Sequence, residues 1–254
     1  MIVILIAILA PILAPKDPYH AVMLDSLKPP SKEYILGTDV LGRDIFSRII
    51  YGTRTTLVMA FSLLAIVFFV GGTLGVIAGF YGGIVDNVIM KISDMMMAFP
   101  GLILAIAIAG ILGPSTFNAV LAISLVTWPR YARLARSLTL KIRKNTYIEV
   151  AIMGGITPLN LFLKYLLANI FPTMLVTATI DIGMLILEIT SLSFLGVGVQ
   201  APIPEWGLML NEGRLYIFKA PWLIYSPGIA IIIVVVIFNL LGDSIRDILD
   251  PKEN

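Results

Sequence analysis

The chain has 254 residues, 58% of them hydrophobic and 13% charged, with a formal net charge of +2. A mean hydropathy of +0.96 describes a polytopic membrane protein rather than a soluble core, and so small a net charge leaves no footprint for nucleic acid. With no cysteine, disulfides, thiolate metal sites and thiol catalysis are excluded.

Residues 1–14 are apolar but reach only about 21 Å as a helix, short of a hydrocarbon core of about 30 Å. No basic residue opens them as in a signal peptide, so they read as part of a first span. Residues 15–54 are polar and proline-rich and form a loop, in which the lone His20 is solvated rather than a metal ligand. A clear span covers 55–80. Its Gly71, Gly75 and Gly79 have the small-xxx-small spacing that lets helix backbones approach closely in lipid. After a turn from Tyr81-Gly82-Gly83 through Lys91, a third span lies near 95–112, broken at Phe99-Pro100-Gly101, and a fourth near 117–134. Met95, Met96 and Met97 point around the helix and pack rather than bind.

The densest basic stretch holds Arg130, Arg133, Arg136, Lys141, Arg143 and Lys144, with Lys164 beyond. The positive-inside rule makes this loop, 135–165, cytoplasmic. Within it Glu149, Val150 and Ala151 finish a short helix, Gly154 and Gly155 permit a sharp turn, and Thr157-Pro158 supplies an N-cap followed by proline at the first helical position. Such an elbow can be gripped by a soluble partner; the plainer reading is an ordinary interhelical loop.

Spans five and six occupy 166–245, the fifth over 166–194 and the sixth over 226–245, before a cytoplasmic tail at 246–254. Counting spans from the cytoplasmic elbow places the loop between them, and the 15–54 loop, outside. In the fifth span Asp181 and Glu188 fall on almost the same helical angle two turns apart, with Met184 between them. Carboxylates in hydrocarbon are costly and face a bundle interior or a wet cavity, so this stripe reads either as the lining of a substrate pathway or as a buried pair satisfied by hydroxyls or water.

The chain contains no phosphate-binding loop, no H-E-x-x-H and no G-x-S-x-G, and one histidine cannot build a multi-histidine site. The order of elements nevertheless resembles the permease subunits of binding-protein-dependent ABC importers, in the dipeptide, oligopeptide and nickel branch. The resemblance rests on Leu36-Gly37-Thr38-Asp39-Val40-Leu41-Gly42-Arg43-Asp44 with Ser47-Arg48, on Tyr81-Gly82-Gly83 with Asp86 and Asp94 through Pro100, and on Glu149-Val150-Ala151 with Gly155. Ser193 to Val199, Pro204-Glu205-Trp206-Gly207, Asn239 to Asp243 with Arg246-Asp247, and Asp250-Pro251 complete it over nearly the whole chain.

The resemblance implies an all-α, polytopic type I permease fold of five to six transmembrane helices, a single domain over 1–254, in the cell membrane of a prokaryote. It implies a homologous second permease, two ATP-binding subunits that carry the ATP and Mg, and an extracytoplasmic substrate-binding protein; this chain would hold no cofactor and hydrolyse nothing. Glu149, Ala151, Gly154, Gly155, Thr157 and Pro158 would dock on the ATPase as the EAA coupling loop. Two departures are Val150 as the second residue of the triplet and Ala168 in place of a loop proline. The fifth span is locally more similar to nickel permeases than to dipeptide permeases, which with the carboxylate stripe points to nickel or a related metal complex, di- and oligopeptides being the alternative. A self-sufficient channel or carrier using Asp181 and Glu188 is a different class, disfavoured because a carrier needs no protruding elbow.

Overall fold

The computed structural model describes residues 2–157 and 160–249, and they are helical nearly throughout. Two short helices, α1 (Ile2–Ile8) and α2 (Ala10–Leu13), precede a loop. Helix α3 (Ile45–Tyr81) is continuous apart from a π-helical turn at Val67–Gly71. It is followed by α4 (Gly83–Met97), α5 (Gly101–Leu112), α6 (Thr116–Arg143) and α7 (Thr146–Met153). A π-helical segment, Leu161–Leu167, runs into α8 (Ala168–Phe194); α9 (Trp206–Gly213) and α10 (Trp222–Leu249) complete the order.

Among the described residues three helices are long and apolar enough to cross a membrane, and up to four if the α4–α5 pair, bent by 91°, counts as one broken span. By length and composition the expected count of five to six is not confirmed. The first segment is too short, and α6 is long but carries Asn118 and five basic residues from Arg130 onward. The bend falls at the expected Phe99-Pro100-Gly101 break, since the residue before proline is pushed out of helical geometry. Helix α3 starts at Ile45 rather than at residue 55 because its polar first turns find partners, described below. The segment after Tyr81 is helix from Gly83 rather than a turn through Lys91, Gly82 and Gly83 turning the backbone at φ +64 and +53.

The described residues fall into two compact units. The first comprises the described parts of Met1–Ser62, Ile106–Ala122 and Ile182–Phe238. Trp206, 1% exposed, is at its centre. The indole N–H of Trp206 donates to the Ile49 carbonyl at 3.2 Å, and that of Trp222 to Thr38 at 3.1 Å. Glu205 is fully buried as the N-cap of α9, its carboxylate accepting from the Gly207 and Leu208 amides at 2.9 and 2.8 Å and from Thr56 at 3.4 Å. Burial pushes the Glu205 carboxyl above the usual range, against the pull of those amides.

The second unit comprises the described parts of Leu63–Ala105, Ile123–Asp181 and Asn239–Asn254. Its packing centre is the glycine stripe of α3 against α6. A Cβ on Gly71 would lie 2.6 Å from the Trp128 carbonyl oxygen, on Gly75 2.1 Å from that of Ala132, and on Gly79 2.8 Å from the Thr139 Cβ. The spacing read from the sequence is thus a helix–helix contact that no side chain fits. Arg136 pairs with Asp86, and Arg133 with Asp94, tying α4 to α6. Two residues of the basic run that signalled a cytoplasmic loop are therefore engaged with acids on α4.

Candidate functional site

Two places carry most of the candidate residues, and both lie in the second unit; Met184 and Glu188 belong to the first. The elbow begins with α7. Its Ile148 is 1% exposed, Tyr147 stacks on Tyr165 with ring centroids 6.4 Å apart, and Leu161, Leu166 and Ile170 are buried. The helix packs on the 161–167 segment, with Tyr147 against Tyr165. Its other face presents Val150 (62% exposed) and Met153 (87% exposed).

The helix ends as the glycines require. The Gly154 amide donates to the Val150 carbonyl at 2.9 Å, Gly155 adopts φ +76, and the Ile156 amide returns to the Ala151 carbonyl at 3.3 Å. That six-to-one return with a left-handed residue between is the Schellman ending, which L side chains resist. A Cβ on Gly155 would meet nothing within 4 Å, so backbone conformation rather than space selects glycine. Thr157 accepts from the Asn160 amide at 3.4 Å through its hydroxyl, in the manner of an N-cap. Glu149 lies in α7 with its backbone described and its side chain not, Ala151 is half-buried, and Pro158 falls outside the described residues.

The second place is a cleft of about 610 Å³ between α6, α8 and α10, lined by Arg130, Lys141, Arg246 and Asp181, with Pro172 and Val176 among the apolar groups. Asp181 is 5% exposed. Its Oδ1 lies 2.8 Å from Arg130 Nη2 and its Oδ2 accepts from the Tyr131 hydroxyl at 3.0 Å. Adjacent residues on α6 thus close around one carboxylate on α8. Three basic side chains face a single acid in this cleft, so its field favours anions. Met184, 51% exposed, and Glu188, half-buried, follow on later turns of α8. Among the described residues no group of three or more His, Asp or Glu could hold a metal ion. Sequence reading identified Asp181 and missed its partners. The signal in the sequence is the Arg130-Tyr131 pair within the basic run.

A helical permease architecture of this kind recurs in solved structures. The inward-facing MetNI methionine ABC transporter matches at a TM-score of 0.65, with 20% identity, over 81% of this chain and 97% of that one. The fold is that of a type I ABC importer permease. Residues 71–254 match the family described as the binding-protein-dependent transport system inner membrane component, and the chain belongs to it. It is 45% identical to the dipeptide transport system permease protein DppC of Alkalihalophilus pseudofirmus, over 98% of this chain and 82% of the relative. The glutathione transport system permease protein GsiD of Pectobacterium atrosepticum is 43% identical, over 99% and 84%. The nickel transport system permease protein NikC of Escherichia coli is 41% identical, over 93% and 86%. The chain is a membrane-embedded permease subunit of an ABC importer, in a family whose ATP hydrolysis belongs to separate subunits.

Proposed function

We propose that this permease forms half of the pathway of an ATP-driven importer for short peptides, working with a homologous second permease, two ATP-binding subunits and an extracytoplasmic binding protein. The observation that carries the substrate class is the Arg130–Asp181 pair in its basic cleft. A carboxylate already engaged by a guanidinium and a phenol has little left for a hydrated cation, while Lys141 and Arg246 on the same walls attract a carboxylate-bearing cargo. Relatives named for dipeptide and glutathione transport support the same class.

The elbow is the docking element for an ATP-binding subunit. Val150 and Met153 offer apolar anchors on a helix whose far face is held by Ile148 and Tyr147, so movement of the partner is passed to α8 through a stiff contact. ATP and Mg are bound by the partner subunits.

The relative named for nickel transport keeps the metal reading open, and one assay tests both. The complete complex, reconstituted in liposomes with its binding protein, is given labelled dialanine or labelled nickel. Dialanine accumulation with ATP and none of nickel is the expected result; nickel accumulation alone would reverse the assignment.

A further inference from the structure

The motif at residues 36–48 has so far no role beyond its family likeness. In the structure, Arg43 Nε donates to Asp39 Oδ2 at 2.6 Å, while Arg43 Nη2 and Arg48 Nη2 both reach Glu212 Oε2, at 3.1 and 3.0 Å. The four charges border a cleft of about 370 Å³ in the first unit, lined further by Arg214, Asn211, Met209 and Leu215. Both loops that build it are the ones expected on the outer face, where cargo arrives.

The two carboxylates are held differently. Asp39 also accepts from the backbone amides of Leu41 and Arg43, both at 2.9 Å, and its side chain is 6% exposed. Glu212 is held by the two guanidiniums and is 25% exposed. The Arg43 and Arg48 side chains are 4% and 1% exposed, and Arg48 Nη1 is buried with no hydrogen-bond partner among the described residues. A buried guanidinium with an idle donor is a costly arrangement unless some state of the protein supplies an acceptor. With Arg214, three cations face two anions, leaving one positive charge in excess.

We propose that this cleft is a carboxylate subsite for incoming cargo, in which Glu212 occupies the place that the free C-terminal carboxylate of a short peptide takes. The inference rests on the short-peptide reading above. Exchange of one carboxylate for another conserves the charge-assisted hydrogen bonds to Arg43 and Arg48 and lets a planar, two-oxygen acceptor engage the idle donor as well. Met209 and Leu215 give an apolar wall for the last side chain of the peptide, so recognition is by the terminal group and tolerant of sequence.

The test uses the assembled permease and ATPase complex in nanodiscs without its binding protein, with labelled dialanine and alanyl-alaninamide in equilibrium dialysis. Dialanine should bind at least tenfold more tightly than the amide. Glu212→Gln, which removes the competing anion, should tighten dialanine binding several-fold, and Arg48→Lys should weaken it at least fivefold in complexes of unchanged size. Should Arg48→Lys fail to assemble, the Glu212→Gln shift and the acid-to-amide ratio decide. Equal binding of acid and amide, or weaker binding in Glu212→Gln, overturns the subsite and leaves Glu212 as a structural latch. The expected binding pattern in a complex that imports no dipeptide refutes the cargo reading and keeps the subsite; import without the pattern does the reverse.

Discussion

Arg130 Nη2 and Asp181 Oδ1 lie 2.8 Å apart, one side chain 50% exposed and the other 5%. The asymmetry decides what each substitution does. Arg130→Ala leaves a buried carboxylate with the Tyr131 hydroxyl, and should cost about 2–3 kcal/mol, at or below the roughly 3–5 kcal/mol for breaking a fully buried pair because the guanidinium is half exposed. Asp181→Asn leaves a half-exposed guanidinium that water can serve, and should cost about 1 kcal/mol. Thermal unfolding of the assembled complex, followed by loss of the intact species on gel filtration, orders the two. Equal stability of both variants would remove the pair from the structural account.

The elbow is tested at Gly155. At φ +76 an alanine is strained by roughly 1 kcal/mol, whereas proline fixes φ near −65° and cannot make the turn. Gly155→Ala should retain reduced coupling, and Gly155→Pro should abolish substrate-stimulated ATP hydrolysis while the protein still enters the membrane. Full stimulation in the proline variant, measured in liposomes, would leave the turn without a part in coupling.

The α3–α6 contact is tight enough that Gly75→Leu should block assembly. Its Cβ alone would stand 2.1 Å from a backbone oxygen, and overpacking of that kind costs at least about 1–3 kcal/mol. Gly110, where a Cβ meets nothing within 4 Å, is the matched control. Yield of intact complex from membranes compares them, and similar yields would show that the stripe has room to give.

Topology is checked with cysteines introduced at Lys144 and Gln200, both exposed. The protein has no native cysteine to interfere. An impermeant maleimide should label Gln200→Cys in intact cells and Lys144→Cys only after permeabilisation. Labelling of both from outside refutes the cytoplasmic assignment of the basic loop.

The 15–44 loop should have a defined pH window. Hydrogen bonds from Lys28 and Tyr34 hold the Asp25 carboxyl below its usual 3.8, and the same contact with Asp25 pushes the Tyr34 phenol up to about 12. The Asp25 contribution is present above the unfolded value and lost as pH falls through the lower folded one; the Tyr34 contribution is present below pH 10 and lost as pH rises through about 12. Exchange of the Leu27 amide, which donates to the Asp39 carbonyl at 3.0 Å, should be slowest between these limits after correction for intrinsic rates. Asp25→Asn should flatten the acid limb; an unchanged profile would place the control elsewhere.

What the sequence by itself determined is what depends on neighbours along the chain. Gly154-Gly155 before Thr157 determines a Schellman ending and a new cap, because those geometries are closed by backbone and hydroxyl groups within a few residues. Gly71, Gly75 and Gly79 determine a close helix contact, because helical periodicity alone puts them on one face. Composition determines the membrane. The tertiary structure decided which charges meet. Asp181 read as a pathway carboxylate because nothing near it in sequence neutralises it; its partners Arg130 and Tyr131 come from another helix. Residues 45–54 read as loop because Arg48 and Thr53 are polar, and they are helix because Glu212 and the Ile49 carbonyl satisfy them. A charge carries no record in sequence of its partner, since Coulomb attraction and desolvation depend on distances that only packing sets.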